Sequence, residues 1–314
     1  MDGRTTQVYR YHRRVTAPAL FADTPPFAAN ALPVGGGHVR AVQEVGRAEG
    51  IPVVVLHGGP GSGCSPLLRR VFDPRHWRIV CPDQRGAGAS RPRGATERNT
   101  TADLLADLRL VRERLEIERW VVVGGSWGAT LAIAHAAAEP AAVEAMLLRA
   151  SFLARPDDIA AFFGPLSLTE LAAGLQSPEA AMRERAALAW WQREQQLSGT
   201  SSDPPHGAAL DAQVDRLRVQ AHYLMHGCWL QSPTLLERCE AVPRVPTHLI
   251  HARDDRVCPP EGAVQLQRRL RGATLQWVDD AGHDAAHPTM VSAVVTALDR
   301  YARERRFTDT GMTT

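Results

Sequence analysis

The sequence has no lysine. All 36 cationic residues are arginine, scattered along 314 residues, and 34 acidic residues leave a formal net charge of +2. An even, unclustered balance supplies neither the basic stripe of a nucleic-acid groove nor a polybasic membrane patch. Cysteine is sparse too. Cys64, Cys81, Cys228, Cys239 and Cys258 are odd in number and include no C-x-x-C pair. This argues against a disulfide framework or a zinc site, and neither a metal nor another cofactor is expected. The thiols read as small buried hydrophobes. No apolar leader follows Met1, and no uninterrupted apolar run approaches the roughly 18 residues that a membrane span needs. The expectation is a cytoplasmic protein without nucleic-acid or membrane partners; composition leaves its oligomeric state open. At 44% hydrophobic and 22% charged residues, the chain has ordinary globular content and enough length for one large α/β domain with an insertion.

What is present is more specific. The apolar run Trp120-Val121-Val122-Val123 reads as a buried strand and leads directly into Gly124-Gly125-Ser126-Trp127-Gly128, followed by the Ala-rich Ala129-Thr130-Leu131-Ala132-Ile133-Ala134. Strand, G-x-S-x-G turn and helix are the context of a nucleophile elbow, where glycines permit a sharp bend and expose the serine hydroxyl. A second buried-strand run, Ile51-Pro52-Val53-Val54-Val55-Leu56, ends in His57-Gly58-Gly59-Pro60-Gly61-Ser62-Gly63. In α/β-hydrolases the loop after an early strand supplies one oxyanion N–H and the residue after the nucleophile supplies the other. Gly59 and Trp127 are therefore the expected donors. A phosphate-binding loop is disfavoured, because the segment has no Gly-Lys-Ser/Thr ending and no G-x-G-x-x-G spacing with a downstream acid.

Around these motifs the periodicity predicts a hairpin about Gly35-Gly36-Gly37. Strands follow at 51–56, 77–81, 120–124 and 143–149, with helices near 64–71, 101–115 and 127–138. Asn99-Thr100-Thr101 offers a cap before Asp103. After a break, strands at 246–251 and 273–278 alternate with helices at 260–270 and 285–303. Alternating buried strands and helices imply a mostly parallel sheet covered on both faces. Residues 1–28 read as an N-terminal extension, 29–150 and 241–314 as the α/β-hydrolase core, and the helical stretch 151–240 as an inserted cap.

A serine hydroxyl needs a histidine to take its proton and a carboxylate to hold that histidine. In this fold both follow the serine on loops after late strands, acid first. Asp254 and Asp255 follow one such strand. Asp279, Asp280 and His283 follow the next. His283, preceded by Gly282, is the expected base; His57, His251 and His287 read as a turn residue, a strand residue and a helix residue. Between Asp254 and Asp255 this reasoning does not choose. Asp279 and Asp280 stand too close to the histidine to be favoured.

Taken together, His57-Gly58-Gly59-Pro60-Gly61, Phe72-Asp73-Pro74, Asp83-Gln84-Arg85-Gly86, Asn99-Thr100-Thr101, Gly124 to Gly128 and Arg253 to Pro259 resemble the proline iminopeptidases of the α/β-hydrolase superfamily, over roughly residues 30 to 300. The resemblance implies Ser126 as nucleophile, Asp255 as acid and His283 as base. It also implies removal of an N-terminal proline, with cap glutamates holding the amine and aromatics packing the ring. One glutamate falls on Glu194. The ring contacts fall on Phe152, on Phe163 where a tyrosine is usual, and on Leu224, beside Tyr223, where a phenylalanine is usual. The second glutamate is replaced by Gln220, which removes the charge-assisted part of amine binding, of order 1–3 kcal/mol.

The first expectation is thus a metal-free serine hydrolase of proline iminopeptidase type, acting on a small peptide, amide or ester. The alternative is an esterase, thioesterase or biosynthetic amidase that needs no free amine, and Gln220 favours it. A hydrolase fold kept as a ligand receptor is least favoured, because the whole triad is present.

Overall fold

The computed structural model describes residues 19–199 and 202–308. One eight-stranded sheet organises it, in the order β1-β2-β4-β3-β5-β6-β7-β8. The hairpin strands β1 (Ala28–Gly35) and β2 (His38–Gly46) pair antiparallel, and β2 runs antiparallel to β4 (Trp77–Pro82). From there β3 (Ile51–Leu56), β5 (Trp120–Gly125), β6 (Val143–Arg149), β7 (Thr247–Ala252) and β8 (Thr274–Val278) continue the sheet in parallel.

The continuous apolar strands exist because both faces are covered. Val54, Leu56, Trp120 and Val122 enter one buried cluster, while their neighbours Val53, Val55, Val121 and Val123 enter another. Successive side chains point to opposite faces, so a strand with two dry faces has no polar alternation. The first cluster takes in α2 (Thr101–Arg114) and α3 (Trp127–Ala138); the second takes in α10 (Pro288–Glu304), with α1 (Pro66–Arg69) packed against it. Helix α3 is buried on all sides from Trp127 to Ala136, as a helix inside the core must be.

Five α-helices separate β6 from β7: α4 (Pro156–Phe163), α5 (Leu168–Gln176), α6 (Ala180–Ser198), α7 (Ala208–Met225) and the short α8 (Leu235–Arg238). With α9 (Pro260–Arg269) they complete the α-helices among the described residues. Asn99 anchors α7 to the sheet side. Its Oδ1 accepts from the Tyr223 hydroxyl at 2.9 Å, its Nδ2 donates to the Ala95 and Arg85 carbonyls, and its own carbonyl lies 3.1 Å from Nε2 of His222. The neighbouring Thr100 and Asp103 form a reciprocal capping box that starts α2.

The expected boundaries of the core elements shift by more than a residue at two places. Helix α1 spans four residues, not the eight foreseen at 64–71, and it begins at Pro66, whose missing N–H suits a first turn. Helix α10 starts at Pro288 rather than 285, for the same reason. Residues before it are held in turns, one closed by Asp284 accepting from the Ala286 N–H. His287 consequently caps that helix instead of lying within it. Of the expected N-terminal extension, residues 1–18 lie outside the described residues. Residues 21–23 are tied to α1, by backbone pairing of Phe21 with Arg70 and by the Asp23–Arg69 ion pair. No single helix among the described residues is long and apolar enough to cross a membrane.

Candidate active site

Ser126 stands between β5 and α3 with φ 56° and ψ −124°, a region that side chains other than glycine's rarely occupy. The bend therefore sits on the serine itself. The flanking glycines serve close approach: a Cβ on Gly124 would lie 2.2 Å from the Gly128 carbonyl oxygen, and one on Gly128 would lie 2.0 Å from that of Leu56. Any side chain there would push α3 off the sheet. The G-x-S-x-G pattern is thus a packing requirement as much as a turning one.

The loops after β7 and β8 meet beside this turn. Oδ2 of Asp255 lies 2.8 Å from Nδ1 of His283, and Oδ1 accepts from the backbone N–H groups of Val257 and Cys258 at 2.9 and 2.8 Å. Burial works to raise the pKa of Asp255, but the His283 charge and hydrogen bond, with the Cys258 N–H, outweigh it and hold the carboxyl below its ordinary value. Asp254, which its place in the chain does not separate from Asp255 although the resemblance points to Asp255, accepts from the Gly282 N–H at 3.1 Å. Two adjacent carboxylates thereby grip two adjacent residues of the facing loop. Asp279 instead makes an exposed ion pair with Arg253.

Ser126 Oγ makes no hydrogen bond to His283 in this structure; its one side-chain hydrogen-bond contact among the described residues is with Cys258 Sγ at 4.0 Å. Catalytic hydrogen bonds are commonly long before substrate arrives. Gly59, at φ 110°, lines the same cavity as Ser126. Among the described residues neither the Gly59 nor the Trp127 backbone N–H has a protein acceptor, as a first-turn amide and an oxyanion donor both require.

Gln84 locks these two segments together. Its side chain donates to the His57 carbonyl at 2.9 Å and accepts from the Trp127 indole at 2.8 Å. His57, read from the sequence as a turn residue, is fully buried. Its Nε2 accepts from the Gln84 N–H at 3.0 Å, while its Nδ1 lies 3.2 Å from the donating Gly63 N–H and 2.9 Å from the Gly58 carbonyl. Desolvation lowers its pKa to about 4, so the ring stays neutral. Asp83 accepts from the Cys64 and Ala89 N–H groups, and Arg85 forms a buried fork with Asp107.

A cavity of about 400 Å³, open mouth included, is lined by Gly59, Ser126, Phe152, Asp158, Ile159, Phe162, Phe163, Gln220, Leu224, Val257 and Cys258. Of the expected substrate contacts, Phe152, Phe163, Leu224 and Gln220 are therefore brought together around Ser126. Phe163 is backed by Trp190, ring centroids 4.8 Å apart and nearly perpendicular. Two expected contacts lie elsewhere. Tyr223 is buried behind the site, edge-on to Trp127 with its hydroxyl on Asn99. Glu194 does not line the cavity; its carboxylate meets Nη2 of Arg216 at 2.5 Å. The same arginine donates from Nη1 to Oε1 of Gln220 at 3.3 Å.

Sequence reasoning passed over two residues here and read a third, His251, only as the strand residue that it is. Asp158 lines the cavity. Arg149 donates to the His283 carbonyl. His251 lies with Nε2 2.9 Å from the Cys258 carbonyl and 3.7 Å from Asp255. All three carry ordinary local signals, a helix first turn and two strand ends, and only contact across the fold sets them apart.

Comparison with known proteins agrees with this architecture. The family model of the α/β hydrolase fold matches residues 51–287. A probable proline iminopeptidase of Leptolyngbya boryana is 34% identical, covering 91% of this chain and 98% of its own. The proline iminopeptidase of Neisseria gonorrhoeae is 36% identical over 89% and 98%. Among solved structures, the esterase RhEst1 from a Rhodococcus species superposes with a TM-score of 0.60 at 19% identity, covering 88% of this chain and 99% of that one. A proline iminopeptidase-related protein from Thermus thermophilus does so with 0.54 at 21%, covering 88% and 97%. At such identities the likeness is one of fold.

Proposed function

This chain belongs to the proline iminopeptidase family of α/β hydrolases, and from that premise we propose that it is a serine hydrolase releasing an N-terminal proline, or a similarly small residue, through an acyl-enzyme. The observation that carries the reading is the 2.8 Å contact of His283 with the buried Asp255, on loops that converge on the elbow of Ser126. Asp255 holds the proton on Nδ1 of His283, leaving Nε2 as the base. In this reading Nε2 takes the proton of Ser126 Oγ as the serine attacks the carbonyl, and the Gly59 and Trp127 amides hold the oxyanion. His283 then protonates the departing amine, and water activated by the same ring releases the acyl group.

Helices α4 to α7 act in this reading as the cap. The small cavity, walled by Phe152, Phe163 and Leu224, accepts one compact apolar residue and excludes long chains. The decisive comparison uses prolyl p-nitroanilide, N-acetylprolyl p-nitroanilide and a p-nitrophenyl ester, with wild type and Ser126→Ala. Turnover confined to the free-amine substrate and lost in Ser126→Ala is the expected result.

One observation favours a second reading, an esterase or amidase indifferent to a free amine. Glu194 is neutralised by Arg216, and Gln220 carries no charge. In that case the same assay gives Ser126-dependent ester hydrolysis without preference for a free amine.

A further inference from the structure

The pocket contains a carboxylate that the proton relay does not use. Asp158 lines the cavity together with Ser126 and Gln220, and among the described residues it is the cavity's only acidic group. We propose that Asp158 is the acceptor for the substrate's protonated amine, and so the residue that makes this pocket select a free N-terminus. The proposal rests on the aminopeptidase reading above and names its specificity determinant.

The argument begins with reach. In an aminoacyl group the amine nitrogen is two bonds from the carbonyl carbon that Ser126 attacks, about 2.5 Å away. Its acceptor must therefore line the same small cavity. Glu194 does not line it, and its charge is already met by Arg216. Gln220 does, but it is neutral and its Oε1 already receives Nη1 of Arg216. Asp158 lines the cavity and carries a charge, and although Arg155 pairs with it, each oxygen keeps a lone pair for a second donor. Its side chain is 7% exposed, and its neighbours in the cavity wall, Ile159, Phe162 and Phe163, are apolar. In so dry a setting a charge-assisted hydrogen bond is strengthened.

The carboxylate is also held in place. Asp158 is the third residue of α4, and the preceding Arg155 forks onto it, Nε to Oδ2 at 2.8 Å and Nη2 to Oδ1 at 2.7 Å. Arg155 is itself fixed by Gln265 on α9, Nη1 to Oε1 at 3.2 Å. The fork occupies one lone pair on each oxygen and leaves the others for a second donor. A secondary ammonium such as that of proline carries two N–H groups. The Asp158 charge also reaches the chemistry: after burial and Asp255, it is among the groups that push up the Cys258 thiol, whose sulfur is 4.0 Å from Ser126 Oγ.

The test compares prolyl p-nitroanilide with cyclopentanecarbonyl p-nitroanilide, which has the same ring without the nitrogen. The readout is the ratio of kcat/KM for the two substrates in wild type and Asp158→Asn, each confirmed folded by its thermal transition. The expected result is a high ratio in wild type, cut at least tenfold in Asp158→Asn through KM for the prolyl substrate alone. A high wild-type ratio that Asp158→Asn leaves unmoved overturns the assignment while the aminopeptidase reading stands. An equal loss on both substrates in Asp158→Asn is one such outcome, since it would mark a merely structural ion pair with Arg155. A wild-type ratio near one removes the aminopeptidase reading, and Asp158's role with it.

Discussion

Nη1 of Arg149 donates to the backbone carbonyl of His283 across 3.4 Å, joining the end of β6 to the loop that carries the proposed base. The arginine fits there because Gly125 has no side chain; a Cβ at that position would lie 2.6 Å from Nη2 of Arg149. Burial lowers the arginine's pKa, opposed first by Asp255, so its charge also faces the proposed acid. Arg149→Met is expected to lower kcat about tenfold, the scale of one hydrogen bond from a charged group. KM should stay within about twofold. Steady-state kinetics on prolyl p-nitroanilide check this, and a change confined to KM would contradict a positioning role.

The backbone of Ser126 predicts a trade between stability and activity. Its φ of 56° with ψ of −124° costs of order 1–3 kcal/mol for a residue with a Cβ. Ser126→Gly should therefore unfold at higher denaturant, by about 1–2 kcal/mol relative to Ser126→Ala. Both should lose at least about a thousandfold in kcat/KM. Identical unfolding midpoints for the two variants would show that no strain is stored there.

The adjacent carboxylates should separate cleanly. Asp255→Asn removes the acceptor that fixes the His283 tautomer and is expected to reduce kcat by about 10⁴. Asp254→Asn keeps an amide oxygen for the Gly282 N–H and should change kcat only a few-fold. The paired kcat values decide the matter, and comparable losses would remove the distinction between them.

Acid should destabilise this protein well above the carboxylate range. Desolvation lowers the pKa of His57, His135 and His248 to about 4. Their unfolded pKa is near 6.5, so between about pH 6.5 and 4 the unfolded chain binds more protons than the folded one. Stability from these groups is then full above about pH 6.5 and is lost as pH falls toward 4, by up to about 3 kcal/mol each. His135 offers a test remote from the site: its Nε2 accepts from the Trp120 indole at 3.1 Å, a bond that protonation destroys. Urea midpoints at pH 7.5 and 5.0 should differ less for His135→Leu than for wild type.

Much of this protein is written locally. The strands β3 and β5 are apolar throughout, and β6 is so but for Glu144 and Arg149, since a strand with two dry faces has little polar option; their ends were legible to within a residue. The elbow was legible because Gly124 and Gly128 tolerate no side chain, and the cap of α2 because Thr100 and Asp103 satisfy each other within one turn. His283 and the acidic pair were legible from their place after late strands. What the sequence could not determine was direction. Asp254 and Asp255 are adjacent and chemically identical, so apart from the family resemblance, which points to Asp255, only the meeting of two loops sends one carboxylate to Gly282 and the other to His283. Glu194 fitted its motif, yet Arg216, 22 residues along the chain, takes its charge across the α6–α7 interface. Asp158 lay in an unremarked helix start, and Arg149 at an ordinary strand end. Local pattern determines which residues must be buried and where the backbone must bend, because those forces act within a few residues; which polar side chain faces which is decided by contacts between segments far apart in sequence, and these exist only once the chain has folded.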